Sequence, residues 1–436
     1  MVASFKLDII IIGAGLAGIA AALRLSQAGH HVRVLDEHDR GERGCTAAHL
    51  PPNATRILTD WGFRDQIQSL GHLIKNSRFY SMENGELIGS QRWREEVIRE
   101  IGADYYFIHY HDLYAMLHDA AVKAGAIVQF DAGAVNVETY PPRVTLTNQN
   151  VLKADLVIGA DGPRSITRRT LFGEERIKLE GHSLFTAVVP RKLVEDDALV
   201  GNSINPSLLE FPLWLGSSRH GEAMLMRDGT EIALNIFYPD SEIPIDAEDT
   251  WEGEPMQGWR PRSNDPVLQR LIELCPDMRR LKLYIREELE DWIDESSRLL
   301  LIGNAAHPVL PCWSQSCAIN LEDAETLGVL LSHINDIDQL PVLIEGFQEL
   351  RKPKYRFVQD KSWWQSVESM WLAPGPEQKA RDEMLRKQQD DGDWDESMLQ
   401  QQFDGLWAAF GYNAREAAEN WWTTWGMLRE RSKTTA

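Results

Sequence analysis

The pattern of apolar and polar residues predicts a buried βαβ unit at the start of the chain. Residues 7–12, LDIIII, are almost wholly apolar, which is typical of a strand buried on both faces of a parallel sheet. The segment GAGLAG and a helix-like stretch ending at Gly29 follow, and HVRVLDEHD then has the pattern of a second strand, which ends in Asp36. A strand, a glycine-rich turn, a helix and another strand in this order predict a parallel βαβ unit.

The middle third of the chain has a different period. Between residue 181 and about residue 277, stretches such as SLFTAVVP and EIALNIFYP are separated by polar turns, which predicts a mainly antiparallel, half-exposed sheet. RLLLIG at 298–303 returns to the buried-strand pattern, and helix-like patterns follow it. The predicted fold class is therefore α/β, with a Rossmann-like domain, an inserted antiparallel β-sheet domain and a helical C-terminal region.

These changes of pattern set the predicted domain boundaries. The Rossmann-like domain is expected in three parts, 1–75, 101–178 and 281–365, the last including a long helix. The inserted sheet domain is expected in two parts, 76–100 and 179–280. Residues 366–436 are predicted to form the C-terminal helical region, with QQDDGDWDE as a solvated loop.

Composition and charge exclude several kinds of partner. The 436 residues include 66 acidic and 45 basic ones, for a formal net charge of -21, and such a surface repels phosphate backbones and anionic lipid. No apolar run is long enough to cross a bilayer, and the N-terminal run lacks the basic segment of a signal peptide. Cys312 and Cys317 are too widely spaced for paired zinc ligands. We expect a cytoplasmic monomer or homodimer that binds no metal, nucleic acid or membrane.

The glycine motif at residues 13–18 predicts a dinucleotide site. Gly13 allows the tight turn from strand to helix, Gly15 lets the backbone approach a pyrophosphate, and Gly18 allows close packing of the helix on the sheet. The N-terminus of the helix offers N–H groups to phosphates, and a carboxylate at the end of the second strand reaches a ribose hydroxyl. The predicted cofactor-binding residues of this part are Gly13, Gly15, Leu16, Ala17, Gly18 and Asp36.

A second motif follows another buried strand. The segment ADLVIGADGPRSITRR, residues 154–169, fits the pattern D-x-x-x-G-x-D-G-x-x-S-x-x-R at every fixed position. In this motif the chain resembles the class A flavin-dependent monooxygenases, notably those like salicylate hydroxylase. The resemblance implies that the cofactor is FAD, that Asp161 lies at the FAD site, and that the inserted sheet binds the substrate.

A third motif resembles the same family but differs at its flavin-binding positions. GNAAHPVLPCWSQSCAINLEDA, residues 303–324, is similar to the family pattern G-D-A-A-H-x-x-x-P-x-x-G-Q-G-x-N…E-D-A. Asn304 replaces the aspartate that binds the ribitol chain, and Ser314 and Ser316 replace two glycines. Tyr110 replaces the arginine of the family's H-R-x-D-L segment. The resemblance places these residues at the flavin: Tyr110, Asn304, Pro311, Ser316 and Cys317.

These substitutions are expected to weaken FAD binding without abolishing it. Loss of the arginine at position 110 removes a charge-assisted hydrogen bond, typically ~1.5–3 kcal/mol. Asn304 is expected to cost about 1 kcal/mol. A serine in place of a glycine costs ~1–2 kcal/mol only where the backbone is left-handed. The sum is roughly 3–6 kcal/mol, or roughly two to four decades of affinity.

The resemblance implies an FAD-dependent monooxygenase that hydroxylates a phenolic small molecule, in secondary metabolism, with NAD(P)H as electron donor and O₂. His220 and Tyr238, on predicted strands of the sheet, are the candidate catalytic residues, since either can polarise or deprotonate a phenol. The alternative is that each side chain has only a structural role in the packing of its strand. The tract at 104–114 is expected to place Tyr106, Ile108 and Tyr110 on one face of a strand.

Two other functions stay open at this point. A redox-silent isomerase, cyclase or dehydratase on the same scaffold, with FAD weakly bound or absent, is an alternative because the four substitutions fall together at the ring-binding surface. A non-catalytic binding protein is the third hypothesis, and loss of polar residues from the substrate cavity would favour it. Such a loss is not apparent in the sequence.

Overall fold

The computed structural model describes residues 2–39, 46–173, 178–244, 256, 258–310, 314–359, 369–387 and 396–429. The strands in this part of the chain are β1 Asp8–Ile12, β2 His31–Leu35, β3 Ala47–Leu50, β4 His72–Ile74, β5 Asn76–Ser81, β6 Leu87–Arg92, β7 Tyr105–His109, β8 Ile127–Gln129, β9 Ala134–Glu138, β10 Arg143–Leu146, β11 Val151–Lys153, β12 Leu156–Gly159, β13 Lys178–Pro190, β14 Glu210–Gly216, β15 Arg219–Met226, β16 Glu231–Pro239, β17 Arg279–Ile285 and β18 Leu299–Leu301.

The α-helices are α1 Leu16–Gln27, α2 Pro52–Asp60, α3 Arg64–Leu70, α4 Glu95–Ile101, α5 Tyr110–Lys123, α6 Ile166–Phe172, α7 Val200–Ser203, α8 Pro266–Leu274, α9 Ser316–Ser332, α10 Leu340–Gln359, α11 Pro376–Lys387, α12 Glu396–Phe410 and α13 Ala414–Trp421. Among the described residues, none of these helices combines the length and the apolar character needed to span a lipid bilayer.

A parallel sheet carries the N-terminal unit, as its apolar run predicts. The strand order is β18-β12-β1-β2-β8, so β1 lies in the centre with a strand on each side. Ile9 and Ile11 pack into the large core cluster that includes α1 and α9, whereas Ile10 and Ile12 pack into a second cluster with β9 and β10. Both faces of β1 are therefore covered, which explains its unbroken run of isoleucines.

The inserted sheet has seven strands in the order β17-β13-β16-β15-β14-β5-β6. Its pairs are antiparallel except for β14 with β5, which confirms a mainly antiparallel sheet. The expectation of a half-exposed sheet is wrong for the central strands. In β16, Ile232 and Ile236 pack in a cluster with α8, while Ala233 and Phe237 pack in clusters shared with the parallel-sheet domain. Both faces are buried because a layer covers each one.

A small sheet with the order β3-β7-β4 lies between the two larger ones. Tyr105 and Phe107 of β7 share a core cluster with Met224 and Met226 of β15. The strand predicted over residues 104–114 is shorter than expected, because the helix α5 begins at Tyr110. The side chain of His109 caps that helix by accepting a hydrogen bond from the His111 N–H at 3.1 Å. Tyr110 therefore does not share a strand face with Tyr106 and Ile108.

The C-terminal region is helical, as the sequence pattern predicts. α13 packs on α9 and α10, and Gly346 lies so close to Trp421 that a Cβ atom at this glycine would be 2.4 Å from the indole ring. The Trp421 indole N–H also donates to Glu349 at 2.8 Å. Most of the predicted acidic loop QQDDGDWDE lies outside the described residues.

A buried ionic network joins α9 to α10 and to the segment after β18. Asp323 of α9 accepts hydrogen bonds from the Gly303 N–H at 3.0 Å, from the His307 ring at 2.6 Å and from the Arg351 guanidinium at 2.8 Å. Arg351 also pairs with Glu322 at 2.9 Å. Burial by itself raises the pKa of Asp323, but His307 and Arg351 outweigh it and lower that pKa to about 2. Asp323 is therefore ionised at neutral pH.

We predict that Arg351→Met destabilises the protein by about 3–5 kcal/mol, because two buried carboxylates lose their cation. The matched control is Arg415→Met, since Arg415 is partly exposed and pairs with Glu325 at 2.6 Å. Exposed pairs contribute at most about 1 kcal/mol. Urea denaturation followed by tryptophan fluorescence measures both variants, and equal losses would contradict the prediction.

Candidate active site

The glycine loop between β1 and α1 has one open position and two closed ones. Gly13 has φ +101°, and a Cβ atom there would be 2.4 Å from the Ala160 carbonyl oxygen. A Cβ atom at Gly18 would be 2.0 Å from the Gly13 carbonyl oxygen. At Gly15, by contrast, a Cβ atom would have no neighbour within 4 Å among the residues that the structure describes. Gly15 thus borders open space at the N-terminus of α1, where Leu16 and Ala17 begin the helix.

Asp36 lies directly beside this loop. Its carboxylate accepts hydrogen bonds from the Ala14 N–H at 2.7 Å and from the His38 N–H at 2.9 Å. The side chain therefore fixes the loop to the end of β2, and it stands at the edge where a ribose would bind.

Residues of the second motif, 154–169, bind the start of the third motif, 303–324. Asp161 accepts hydrogen bonds from the Ser165 and Thr167 hydroxyls, both at 2.6 Å, and Ser165 caps α6 by accepting from the Arg168 N–H at 2.7 Å. The buried guanidinium of Arg168 donates to the carbonyls of Ala305 at 3.0 Å and Ala306 at 3.2 Å. These bonds fix the backbone that follows Asn304.

The geometry of the third motif, residues 303–324, shows which of its substitutions change the site. Asn304 has a buried Oδ1 atom that accepts no hydrogen bond from the described residues. Ser316 is the first residue of α9, and neither it nor Ser314 has a positive φ, so the penalty for a left-handed serine does not apply. Burial raises the pKa of Cys317 to about 12, which keeps it a thiol. Pro311 lies outside the described residues.

These residues fit FAD. The open space at Gly15 and the N-terminus of α1 suit a pyrophosphate, and Asp36 suits a ribose. The buried Oδ1 of Asn304 needs a donor, which a hydroxyl of the ribityl chain would supply. The N-terminus of α9 has no side-chain cap and offers its N–H groups to an acceptor.

The structure does not bring His220 and Tyr238 together. His220 faces the parallel-sheet domain and stacks on Phe237, with ring centroids 4.4 Å apart. Tyr238 lies on the opposite face of the sheet in the cluster with α8, where the Arg219 guanidinium lies 4.3 Å from its ring centroid. Adjacent residues of a strand point to opposite faces, so Phe237 and Tyr238 are separated by the sheet itself. This placement does not support Tyr238 as a group that touches the substrate.

The surroundings of His220 disfavour the role of a base. The Trp371 indole N–H donates to its Nδ1 atom at 2.6 Å, so the neutral ring carries its proton on Nε2. Burial lowers the pKa of His220 to about 3, and His182 contributes to the same shift. The ring therefore cannot take a proton from a phenol near neutral pH, but its Nε2–H can polarise one.

Glu222 is a candidate that the sequence analysis missed. It lies two residues after His220 on β15 and shares its face, and it is almost fully buried. The Asn235 amide donates to its carboxylate at 2.9 Å, and burial raises its pKa to about 7 despite that bond. The available signal was a carboxylate inside the apolar stretch RHGEAMLM, at the spacing that places it beside His220.

Comparison with known proteins supports the assignment of an FAD site. The sequence family described as FAD binding domain matches residues 6–204. The FAD-dependent monooxygenase OpS4 of Beauveria bassiana is 26% identical over 391 residues, which cover 88% of this chain and 90% of the relative. The 3-amino-4-hydroxybenzoate 2-monooxygenase of Streptomyces cremeus is 28% identical over 389 residues, covering 88% and 92%.

Solved structures show the same fold. CtdE in complex with FAD and substrate 4 superposes with a TM-score of 0.79 at 16% identity, covering 98% of this chain and 100% of that one. A salicylate hydroxylase substrate complex gives a TM-score of 0.70 at 20% identity, covering 95% and 97%.

The fold and the nucleotide loop define an FAD-binding protein. Residues 6–204 match the FAD binding domain family, and the relatives that are similar over most of this chain are FAD-dependent aromatic monooxygenases, so the resemblance to these enzymes is confirmed.

We predict opposite effects for alanine at two glycines of the loop. Gly15→Ala is expected to fold normally, with stability equal or higher by about 0.4–1 kcal/mol, because its backbone conformation suits any residue. It is expected to bind FAD at least about tenfold more weakly, since the methyl group occupies the pyrophosphate approach. Gly18→Ala is expected to lose about 1–3 kcal/mol of stability through overpacking. Thermal denaturation and FAD titration test both, and normal FAD affinity in Gly15→Ala would refute the placement.

We also predict a pH-dependent stability effect of Glu222→Gln. The raised pKa means that the folded state holds the Glu222 proton more tightly than the unfolded state does. The resulting contribution to the free energy of unfolding is fully present below about pH 4.5 and is lost as the pH rises through about 7. Glutamine does not titrate, so the variant does not lose stability at this position as the pH rises. The free energy of unfolding of the variant, relative to the wild type, should therefore rise by on the order of 3 kcal/mol between about pH 4.5 and pH 8. A constant difference in urea denaturation across this range would contradict the raised pKa.

Proposed function

We propose that this protein is an FAD-dependent monooxygenase that hydroxylates a phenolic small molecule with NAD(P)H and O₂. The observation that carries the proposal is the combination of an intact nucleotide loop with buried polar side chains on the sheet face that packs against the parallel-sheet domain. Asp36 and the open backbone at Gly15 suit the adenosine end of FAD, while Asn304 has a buried oxygen in need of a donor.

Bound FAD would supply the redox chemistry, in which electrons from NAD(P)H reduce O₂ and one oxygen atom is transferred to the aromatic ring. The residues proposed to hold it are Gly13, Gly15, Leu16, Ala17, Gly18, Asp36, Tyr110, Asp161, Asn304, Pro311, Ser316 and Cys317. The protein's own part is to bind and orient the substrate and to exclude water from the reaction.

The proposed substrate position lies between the N-terminus of α9 and the face of the seven-stranded sheet that carries His220. The Nε2–H of His220 offers a hydrogen bond to a substrate oxygen, because its Nδ1 is held by Trp371. Phenolic substrates fit this polarity, and a relative is named for its action on 3-amino-4-hydroxybenzoate. The aromatic rings of Phe237 and Trp371 border the same region.

The substitutions at the flavin contacts reduce affinity without removing the site. Ser314 and Ser316 have ordinary backbone conformations, so the expected cost is limited to positions 110 and 304. A redox-silent enzyme on this scaffold is the alternative that reconstitution with FAD must exclude.

The decisive experiment is reconstitution of the purified protein with FAD. We expect a stoichiometric complex with a flavin spectrum, and NAD(P)H oxidation that requires O₂ and is stimulated by a phenolic substrate, with hydroxylated product formed. A protein that binds no FAD and converts its substrate under anaerobic conditions would establish the redox-silent alternative instead.

Restoring the family residues should tighten FAD binding. The double variant Asn304→Asp with Tyr110→Arg is expected to bind FAD at least about tenfold more strongly, because it regains charge-assisted hydrogen bonds. Asn335→Asp, at an exposed position, is the matched control for the added charge and should leave the dissociation constant unchanged. Fluorescence titration of FAD measures all three proteins. If the double variant equals the wild type, the assignment of positions 110 and 304 to the flavin is wrong.

A further inference from the structure

We propose that Glu222 is the residue that accepts the proton of the substrate hydroxyl, with His220 as the neighbouring hydrogen-bond donor. This inference rests on the proposed function and extends it, since it names the base that activates a phenolic substrate.

Glu222 lies at the junction of the two domains. Its partner Asn235 also accepts hydrogen bonds from the Thr186 hydroxyl of β13 at 2.7 Å and from the Thr46 hydroxyl at 3.1 Å. Thr46 directly precedes β3 and belongs to the parallel-sheet domain, which carries the nucleotide loop. The polar chain Glu222–Asn235–Thr46 thus crosses from the sheet to the FAD-binding domain, in the layer where a substrate between the two must lie.

Tyr105 of β7 lies between Glu222 and the start of α9. Tyr105 shares a core cluster with Met224, which lies two residues after Glu222 on β15. Burial raises the pKa of Tyr105, Glu222 acts in the same direction, and a hydrogen bond with Ser314, two residues before α9, opposes them. Tyr105 therefore lies near both Glu222 and the start of α9. Ser316 and Cys317, which the resemblance places at the flavin, begin α9, so Glu222 lies on the side of the sheet that we propose to contact the substrate.

The charge of Glu222 has no cation to balance it in the described structure. Its described contacts are one hydrogen bond from Asn235 and no ion pair. The buried carboxylates Glu322 and Asp323, in contrast, are paired with Arg351. Burying a carboxylate without a cation is costly, and a glutamine would satisfy the same amide without that cost. A carboxylate is useful here if it exchanges a proton.

The neighbouring titratable groups do not compete for this role. Burial lowers the pKa of His49 to about 4 and that of His220 to about 3, so both rings are neutral near pH 7. Tyr105, which hydrogen-bonds His49 at 2.7 Å, and Cys317 have pKa values raised well above neutrality by burial. Among these described groups, Glu222 is the one that changes charge near neutral pH.

The step itself is a simple proton transfer. The substrate O–H bond breaks, the proton joins the Glu222 carboxylate to give the carboxylic acid, and the electron pair stays on the phenolate oxygen. The Nε2–H of His220, about 6–7 Å along the same strand face, stabilises that oxygen or a second substituent. The aromatic ring of the phenolate is more electron-rich than that of the phenol, which favours oxygen transfer to it. The step is neither an oxidation nor a reduction.

The first test measures binding to the FAD-loaded protein and needs no turnover. The probes are two matched pairs, 3-amino-4-hydroxybenzoate with its 4-methyl ether and phenol with anisole, followed through the flavin spectrum. At pH 8 the wild type should prefer the hydroxyl compound by about tenfold, because an ionised Glu222 accepts a charge-assisted hydrogen bond. At about pH 5.5 that preference should fall severalfold, with a midpoint near pH 7.

Glu222→Gln should lose the pH dependence of this preference while keeping normal FAD affinity. Glu210→Gln is the matched control, because Glu210 is a partly buried carboxylate on the same sheet that pairs with Arg78 at 3.2 Å. It should retain the wild-type pH dependence. A wild type that shows no pH-dependent preference for the hydroxyl compounds, or a Glu222→Gln variant that retains it, overturns the proposal.

The second test separates this proposal from the proposed function. With a compound that the wild type hydroxylates, kcat/KM should increase with pH through a limb near pH 7, and Glu222→Gln should lower the rate about 10²–10⁴-fold and abolish that limb. Turnover that is insensitive to Glu222→Gln overturns the role of Glu222 and leaves the monooxygenase intact. Phenol binding with the expected pH dependence but without hydroxylation overturns the monooxygenase and leaves the role of Glu222 intact.

Discussion

Asp323 is the residue on which the geometry of the FAD-binding region depends. Its carboxylate binds the Gly303 N–H, the His307 ring and Arg351, and so joins the segment after β18 to α9 and α10. Arg168 holds the same segment from the other side through the carbonyls of Ala305 and Ala306. With both restraints in place, the position of Asn304 relative to α1 follows from buried charge-assisted hydrogen bonds and not from loop propensity.

The buried carboxylates of this protein fall into two kinds. Asp323 and Glu322 are paired with Arg351, Asp323 also accepts hydrogen bonds from Gly303 and His307, and Glu322 accepts one from Asn53, which is how a structural charge is stabilised in a core. Glu222 has an amide partner and lies where the sheet meets the FAD-binding domain. Asp323 and Glu322 are therefore buried charges with a cation beside them, whereas Glu222 has the environment that raises the pKa of a carboxyl group.

The substitutions in the third motif change the site less than the residue types suggest. A serine is costly in place of a glycine where φ is positive, and the structure shows ordinary helical geometry at Ser316. What differs from the family pattern is thus the polarity at Asn304 and Tyr110. The backbone around the flavin-ring region can therefore be retained although its residue types have changed.

The sequence by itself determined the βαβ unit and its glycine loop, because both depend on residues that are close to one another along the chain. It also predicted a mainly antiparallel sheet and a helical C-terminus. Only the tertiary structure shows that Tyr238 and His220 lie on opposite faces of the sheet, that His220 accepts a hydrogen bond from Trp371, and that Glu222 is buried on the face of His220. Which side of a strand meets the substrate, and how far burial moves a pKa, depend on the layers that cover it, and those come from distant parts of the chain.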